Sequence, residues 1–274
     1  MLALHPDAPI GVFDSGVGGL TVLAALRARL PREQYVYLGD TARLPYGTKS
    51  AETVVRYALQ AADELVERGI KCLVVACNTA SAAALAALRE RFRDMPVIGV
   101  IEPGAAAACA ASVSGRIVVL ATEGTVRGGA YQQAIAQLRP AARVTALACP
   151  LFVALAEEGW VDGPVVAAAV ERYLGPLRAA SALAADTLVL GCTHFPVLRE
   201  AIAAGVGAGV AIVDSAATTA RVVAAELAAR ELRSGAAAQH FTFLATDGVE
   251  RFAHVGGIFL GRAIDADEVV LIDL

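Results

Sequence analysis

The sequence predicts an α/β protein of two pseudo-symmetric domains, each a mostly parallel sheet flanked by helices, with a cleft between them. Three observations carry this expectation. Short β-branched runs alternate with longer helical patterns along the 274 residues, as in parallel sheets covered on both faces. The runs "LVVA" at 73–76 and "LVLG" at 188–191 lack polar alternation, as strands buried on both sides do. Two apolar runs, "CLVVACNTAS" at 72–81 and "TLVLGCTHFP" at 187–196, each end on a cysteine followed by polar residues. The repetition suggests two similar halves, although any doubly wound protein repeats strand–helix units.

In chain order, strands are expected near Ile10–Phe13, Tyr35–Leu38, Cys72–Ala76, Val97–Val100, Ile117–Ala121, Val144–Ala148, Thr187–Leu190 and Ala211–Val213. The runs "HFTFLAT" at 240–246 and "EVVLIDL" at 268–274 read as two more. Helical patterns fill the gaps at about 18–30, 50–68, 80–92, 128–138, 163–180, 196–204 and 216–232. Ser50 with Thr53 forms a cap region, and Gly69 a stop. A linker is expected at Ile101–Gly104 and a return crossing near Val213–Ala217. The first domain is then discontinuous, 1–100 plus 214–274, and the second covers 101–213.

Composition narrows the function. A chain of 274 residues can bury a full core as one large domain or two small ones. Hydrophobic residues make up 57%, much of the excess being alanine, which favours helix without being very apolar. Uncharged runs such as "AIAAGVGAGVAIV" at 201–213 are too short and glycine-rich to span a bilayer, so no membrane association is expected. The start "MLALHPDAPIG" has neither a basic beginning nor an apolar core, and no secretory signal is expected. Five cysteines without regular spacing favour a reduced, cytoplasmic protein. The net charge of −4 and the lack of a dense basic run give no reason to expect nucleic acid.

Ligands of open parallel sheets bind beyond the carboxyl ends of the strands. Four such junctions carry unusual residues: "DSGVGG" at 14–19, "GDTARLPYG" at 39–47, and the turns at Cys77 and Cys192. Cys72, Cys109 and Cys149 read as small buried hydrophobes. Cys77 and Cys192 stand where strand gives way to helix, and helix amides lower a thiol pKa from its usual value near about 8.5.

Rival chemistries fit less well. Zinc could draw on Cys72, Cys77, Cys192 and His194, but Cys72 and Cys77 should face opposite sides of the sheet, and Cys-x-x-Cys pairs are missing. A cysteine hydrolase could pair Cys192 with His194, which leaves Cys77 without a task. His194 could equally anchor a strand end. The turn at 12–22 offers free amides to an anion but is neither Gly-Lys-Ser nor Gly-x-Gly-x-x-Gly, so a carboxylate is a candidate. Asp14 either meets an ammonium group or caps the turn. In "ARLPYG", Pro45 fixes the backbone, Gly47 relaxes it, and Tyr46 is either a packed ring or a ligand contact. Pyridoxal phosphate would need a lysine, and neither Lys49 nor Lys71 comes with a phosphate cup, so cofactor-free chemistry is expected.

Two thiols facing each other across a cleft suit inversion at one carbon: one removes a proton, the other supplies one. An amino-acid α-carbon is weakly acidic, so charge developing on the carboxylate must meet preorganised donors. Asn78, Thr79, Thr193, Ser15 and backbone amides qualify.

The runs "IGVFDSGVGGLTVL" (10–23), "YLGDTARLPYGTKS" (37–50), "VVACNTASAAAL" (74–85) and "LVLGCTHFPVL" (188–198) together resemble bacterial glutamate racemase, in order and spacing, over nearly the whole chain. The resemblance implies two pseudo-symmetric α/β domains and cofactor-independent interconversion of L- and D-glutamate, supplying D-glutamate for peptidoglycan. It implies that Cys77 acts on D-glutamate and Cys192 on L-glutamate, with Asp14 and His194 assisting. Ser15, Pro45, Tyr46, Gly47, Asn78, Thr79, Thr193 and His194 would hold the substrate. The run "ATEGTVRGGAY" (121–131) resembles a further family loop, with Gly128 where a serine is usual, and adds Thr122 and Thr125. The run "CPLFVALAEEG" (149–159), with Ala154 in place of proline, nominates Glu157, beside Glu158. A homodimer is compatible with the resemblance. The rivals are an aspartate or other amino-acid racemase of the same superfamily, and a two-domain protein that clamps an amino acid without chemistry.

Overall fold

The computed structural model describes residues 4–179 and 185–274. The first half of the chain contributes β1 (Ile10–Asp14), β2 (Gln34–Gly39), β3 (Cys72–Val75) and β4 (Val97–Gly99). Then come β5 (Arg116–Ala121), β6 (Arg143–Ala148), β7 (Thr187–Gly191) and β8 (Ala211–Asp214), and finally β9 (His240–Ala245) and β10 (Val269–Leu271). The helices between them are α1 (Leu20–Arg29), α2 (Ala51–Glu67), α3 (Asn78–Arg91), α4 (Ile101–Ala111), α5 (Glu123–Gly128) and α6 (Ala130–Leu138). They continue as α7 (Pro150–Glu157), α8 (Gly163–Ala179), α9 (Arg199–Val206), α10 (Ser215–Ala229) and α11 (Val249–Leu260).

All ten expected strands form, and every strand pair among the described residues is parallel. They make a six-stranded sheet ordered β10-β9-β2-β1-β3-β4 and a four-stranded sheet ordered β6-β5-β7-β8. The inner order of the first, β2-β1-β3-β4, repeats in the second, with β5 in the place of β1 and β7 in the place of β3. The internal repetition that the two cysteine runs suggested is therefore a repetition of topology. In each sheet the chain steps to one side after the first strand and then back to the other. The loops leaving β1 and β3 diverge, as do those leaving β5 and β7, which opens a crevice beyond each carboxyl edge.

Strands lacking polar alternation are buried on both faces. Cys72 and Val74 join one buried cluster with α1, while Leu73 and Val75 join another with α2 and α3. Leu188 and Leu190 likewise turn away from Val189, which packs with residues of α4 and α6. The first of these clusters runs without a break through both sheets, from Ile10 and Tyr37 to Leu120 and Leu190. Cys72 and Cys77 lie in different clusters, on opposite faces.

Several expectations are corrected. Residues 101–104 are no linker but the first turn of α4. Pro103 and Gly104 suggest a break, yet a proline in the first helical turn loses no hydrogen bond. The pattern at 128–138 forms α6 from Ala130 onward, because Gly129, with a left-handed φ of 65°, separates it from α5. The pattern at 196–204 opens with a 3-10 turn, Phe195–Leu198. Residue 180 of the pattern at 163–180 lies outside the described residues. Helices α5, α7 and α11 were not expected. α7 starts on a proline, and α11 contains Gly256, where a Cβ would come within 2.8 Å of Leu20 Cδ1 as α11 packs on α1. Cys109 is half-buried at the edge of its cluster, whereas Cys72 and Cys149 are fully buried as expected. No helix among the described residues is long and apolar enough to cross a membrane.

At the amino ends of β1 and β3, Lys71 is fully buried and ion-paired with buried Glu33. Lys71 Nζ also donates to the Pro6 carbonyl, and Glu33 Oε1 accepts from the Ser234 amide at 3.0 Å. This network lies at the end of the sheet opposite the two cysteine turns.

Candidate active site

Cys77 follows β3 and Cys192 follows β7, so each thiol occupies the crevice of its own sheet. Both line one cleft of about 300 Å³. Ser15, Pro45, Tyr46, Gly47, Asn78, Thr79, Thr122, Thr193, His194 and Glu157 line it too. A larger groove of about 690 Å³, bordered by Arg89, Pro103, Leu138 and Arg230, contains none of the expected site residues.

Cys77 caps the amino end of α3, and its sulfur accepts from the Ala80 amide at 3.4 Å. The thiol points to Ser15 Oγ at 3.6 Å. For Cys77 the expectation of a lowered thiol pKa is overturned. Burial pushes Cys77 up to about 12, with Asp14 adding to the rise. The Ala80 amide and Ser15 act in the opposite sense without compensating. A helix terminus is worth at most about 2 kcal/mol, less than removing a thiolate from water costs.

On the opposite wall, Cys192 Sγ lies 3.8 Å from His194 Nδ1, and His194 Nε2 lies 3.1 Å from Glu157 Oε1. Burial disfavours the imidazolium, but Cys192 and Glu157 outweigh it and raise His194 to about 10. Glu157 is lowered in turn, chiefly by its hydrogen bond to His194. Arg251 of α11 reaches within 3.7 Å of both Glu157 and Glu158. The His194 ring also packs edge-on against Phe259 at 5.1 Å, a contact of the anchoring kind.

The two halves meet around this cleft through named contacts. A Cβ on Gly18 would come within 2.5 Å of His194 Nδ1 and Thr193 Oγ1, so only glycine lets the β1–α1 turn sit against the Cys192 turn. Thr21 Oγ1 donates to the Thr193 carbonyl at 3.1 Å. Gly47 admits Thr122 in the same way, with 2.8 Å from its ideal Cβ to Thr122 Cβ. Thr79 Oγ1 lies 2.9 Å from Thr122 Oγ1.

Two expected ligand contacts lie behind the wall. Asp14 is fully buried; it accepts from the Gly16 amide at 3.0 Å and from Thr193 Oγ1 at 3.5 Å. Its carboxyl is raised, mainly by burial. Of its two readings, the turn cap is the one its bonds match. Thr125 supports Thr122 and Thr79 from beneath, at 3.1 and 3.4 Å between hydroxyls. Tyr46 lines the cleft, but its ring packs against Phe13 and Tyr57 and its hydroxyl donates to buried Asp40.

A model of the Asp/Glu/Hydantoin racemase family matches residues 20–223. The chain belongs to this family. It is 52% identical over 257 residues to a glutamate racemase of Geobacter metallireducens, covering 93% of this chain and 94% of that one. It is also similar to the crystal structure of glutamate racemase from Thermus thermophilus in complex with β-chloro-D-alanine. There the TM-score is 0.88 and the identity 43%, over 98% of each chain. The Francisella tularensis glutamate racemase in complex with D-glutamate superposes with a TM-score of 0.90 at 34% identity, again over 98% of each chain.

Within this family member, sequence reasoning missed Asp40, Tyr131 and Arg251. Asp40 and Tyr131 stood inside quoted runs, and a buried acid or phenol beside a cleft was the available signal. Arg251 carried none, because its place follows from how α11 packs.

Burial also fixes an alkaline limit. Cys72, Cys77 and Cys149 are each raised from 9.0 to about 12, chiefly by burial. Their neutral forms stabilise the fold fully below pH 9, and this is lost as pH rises towards 12. The loss is about 1.4 kcal/mol per thiol per pH unit. His194 acts in the same sense, its contribution fading between 6.5 and about 10. Calorimetry under reducing conditions should show Tm falling by roughly 10 °C between pH 9 and 10. A flat Tm up to pH 11 would contradict the burial of these thiols.

Proposed function

We propose that the chain interconverts L- and D-glutamate without a cofactor, using Cys77 and Cys192 as two bases on opposite faces of the α-carbon. The observation that carries this is the pair of thiols at equivalent positions of two repeated sheets, both lining one cleft. The names of the relatives, and the D-glutamate in the Francisella tularensis structure, supply the substrate. Cys77 removes the α-proton of D-glutamate while the Cys192 thiol delivers one to the other face. The reverse turnover exchanges the roles, so each cycle ends with one thiolate and one thiol.

An ammonium group bound beside Cys77 favours its thiolate and opposes the effect of burial. Asn78, Thr79, Thr193 and Ser15 donate to the substrate as charge moves onto its carboxylate. His194, held by Glu157, serves the proton balance at Cys192. Asp14 and Thr125 act by supporting Ser15, Thr193, Thr79 and Thr122. The reading extends to a discontinuous first domain (1–100 and 214–274), a second domain at 101–213, a cytoplasmic homodimer, and D-glutamate supply for peptidoglycan.

The test is incubation with L-glutamate in heavy water, following optical rotation and the α-proton. Decay of rotation with deuterium at the α-carbon is expected. Binding without exchange would favour a clamp, and faster turnover of aspartate would move the substrate to the shorter acid.

A further inference from the structure

Asn78 is buried and lines the cleft, yet its Nδ2 has no hydrogen-bond partner. Buried donors are nearly always paired, and an orphan beside a ligand cleft is a donor kept for the ligand. The other end of the same carboxamide is occupied. Tyr131 Oη donates to Asn78 Oδ1 at 2.8 Å. A carboxamide can turn over and exchange its oxygen and nitrogen, so the partner of one end decides what the other end presents.

Tyr131 is itself held fast. It is fully buried on α6. A Cβ on Gly191 would approach its ring to 3.0 Å, and one on Gly104 its hydroxyl to 3.2 Å. A side chain at Gly191 would close the slot that the ring fills, and one at Gly104 would crowd it. The phenol belongs to the half that carries Cys192, and Asn78 to the half that carries Cys77.

We propose that Tyr131 is a positioning residue that holds the Asn78 carboxamide with its N–H₂ turned into the cleft, as a donor to the α-carboxylate of the bound amino acid. The inference rests on the racemase reading. Asn78 adjoins Cys77, so the carboxylate it meets is the one that gains charge as the α-proton leaves. The contact strengthens along the reaction and weighs on kcat more than on KM.

A double-mutant cycle tests this. Asn78→Ala should lower kcat/KM for glutamate about 100-fold, the size of a lost oxyanion donor. Tyr131→Phe keeps the ring in its slot and should lower kcat/KM about tenfold, mostly in kcat, with an unchanged far-UV spectrum and a melting temperature within a few degrees. Added to Asn78→Ala, Tyr131→Phe should cost nothing more, because nothing is left to orient. A purely structural role for the phenol would repeat the tenfold loss in that background, and that result overturns the inference. So does an unchanged rate in Tyr131→Phe alone. If the wild-type protein neither racemises glutamate nor exchanges its α-proton, the racemase reading falls and takes the inference with it. A normal wild-type rate with an additive cycle removes the inference alone.

Discussion

Replacing Cys77 or Cys192 by alanine is expected to lower glutamate racemisation at least about 100-fold in both directions, the low end for a positioned acid or base. Each thiol lies on its own wall of one cleft, after β3 and after β7, so neither substitutes for the other. The two losses should differ in kind. Cys192→Ala leaves Cys77 able to take the α-proton of D-glutamate and return a deuteron to the same face. That variant should wash deuterium into D-glutamate without inverting it, and Cys77→Ala should do the same to L-glutamate. Proton NMR in heavy water, alongside optical rotation, separates exchange from inversion. Near-normal racemisation in either variant would end the two-base reading.

Lys71→Met is expected to destabilise the fold by about 3–5 kcal/mol, because it strands a buried carboxylate. Glu33 is 2% exposed and loses its ion-pair partner, keeping only the Ser234 amide. Combining Lys71→Met with Glu33→Leu should recover much of the loss, since a buried pair often contributes little beyond an apolar replacement. Urea midpoints for the two single variants and the double variant measure this. A single variant that unfolds at the wild-type midpoint would mean that Glu33 reaches water. The pair lies far from the thiols, so the folded fraction should keep its turnover.

The strands were legible because β-branched runs without alternation have one good home, the middle of a parallel sheet. The cysteines were legible because each broke such a run at its carboxyl end. The helices that escaped, α4, α5, α7 and α11, open on or contain proline or glycine. Local propensity reads those residues as breaks, and packing decides otherwise: Pro103 falls in a first turn, and Gly256 allows α11 to reach Leu20. The ionisation of Cys77 was misjudged for a related reason. Cap geometry is local and visible in "ACNTAS", whereas burial is the sum of contacts from two sheets. Tyr131 and Arg251 show the same limit, since each acts on a residue brought near only by the tertiary fold.

Strand β9 pairs with β2, although some 200 residues of chain separate Gly39 from His240. During synthesis at about 5–20 residues per second, the flank of β2 therefore waits roughly 10–40 s for its neighbour. The smaller sheet, contiguous from Arg116 to Asp214, leaves the ribosome before that neighbour does. Vectorial synthesis thus presents every strand of the smaller sheet before the larger one can close, and the bare flank of β2 is where nascent chains are open to mispairing and to chaperone capture.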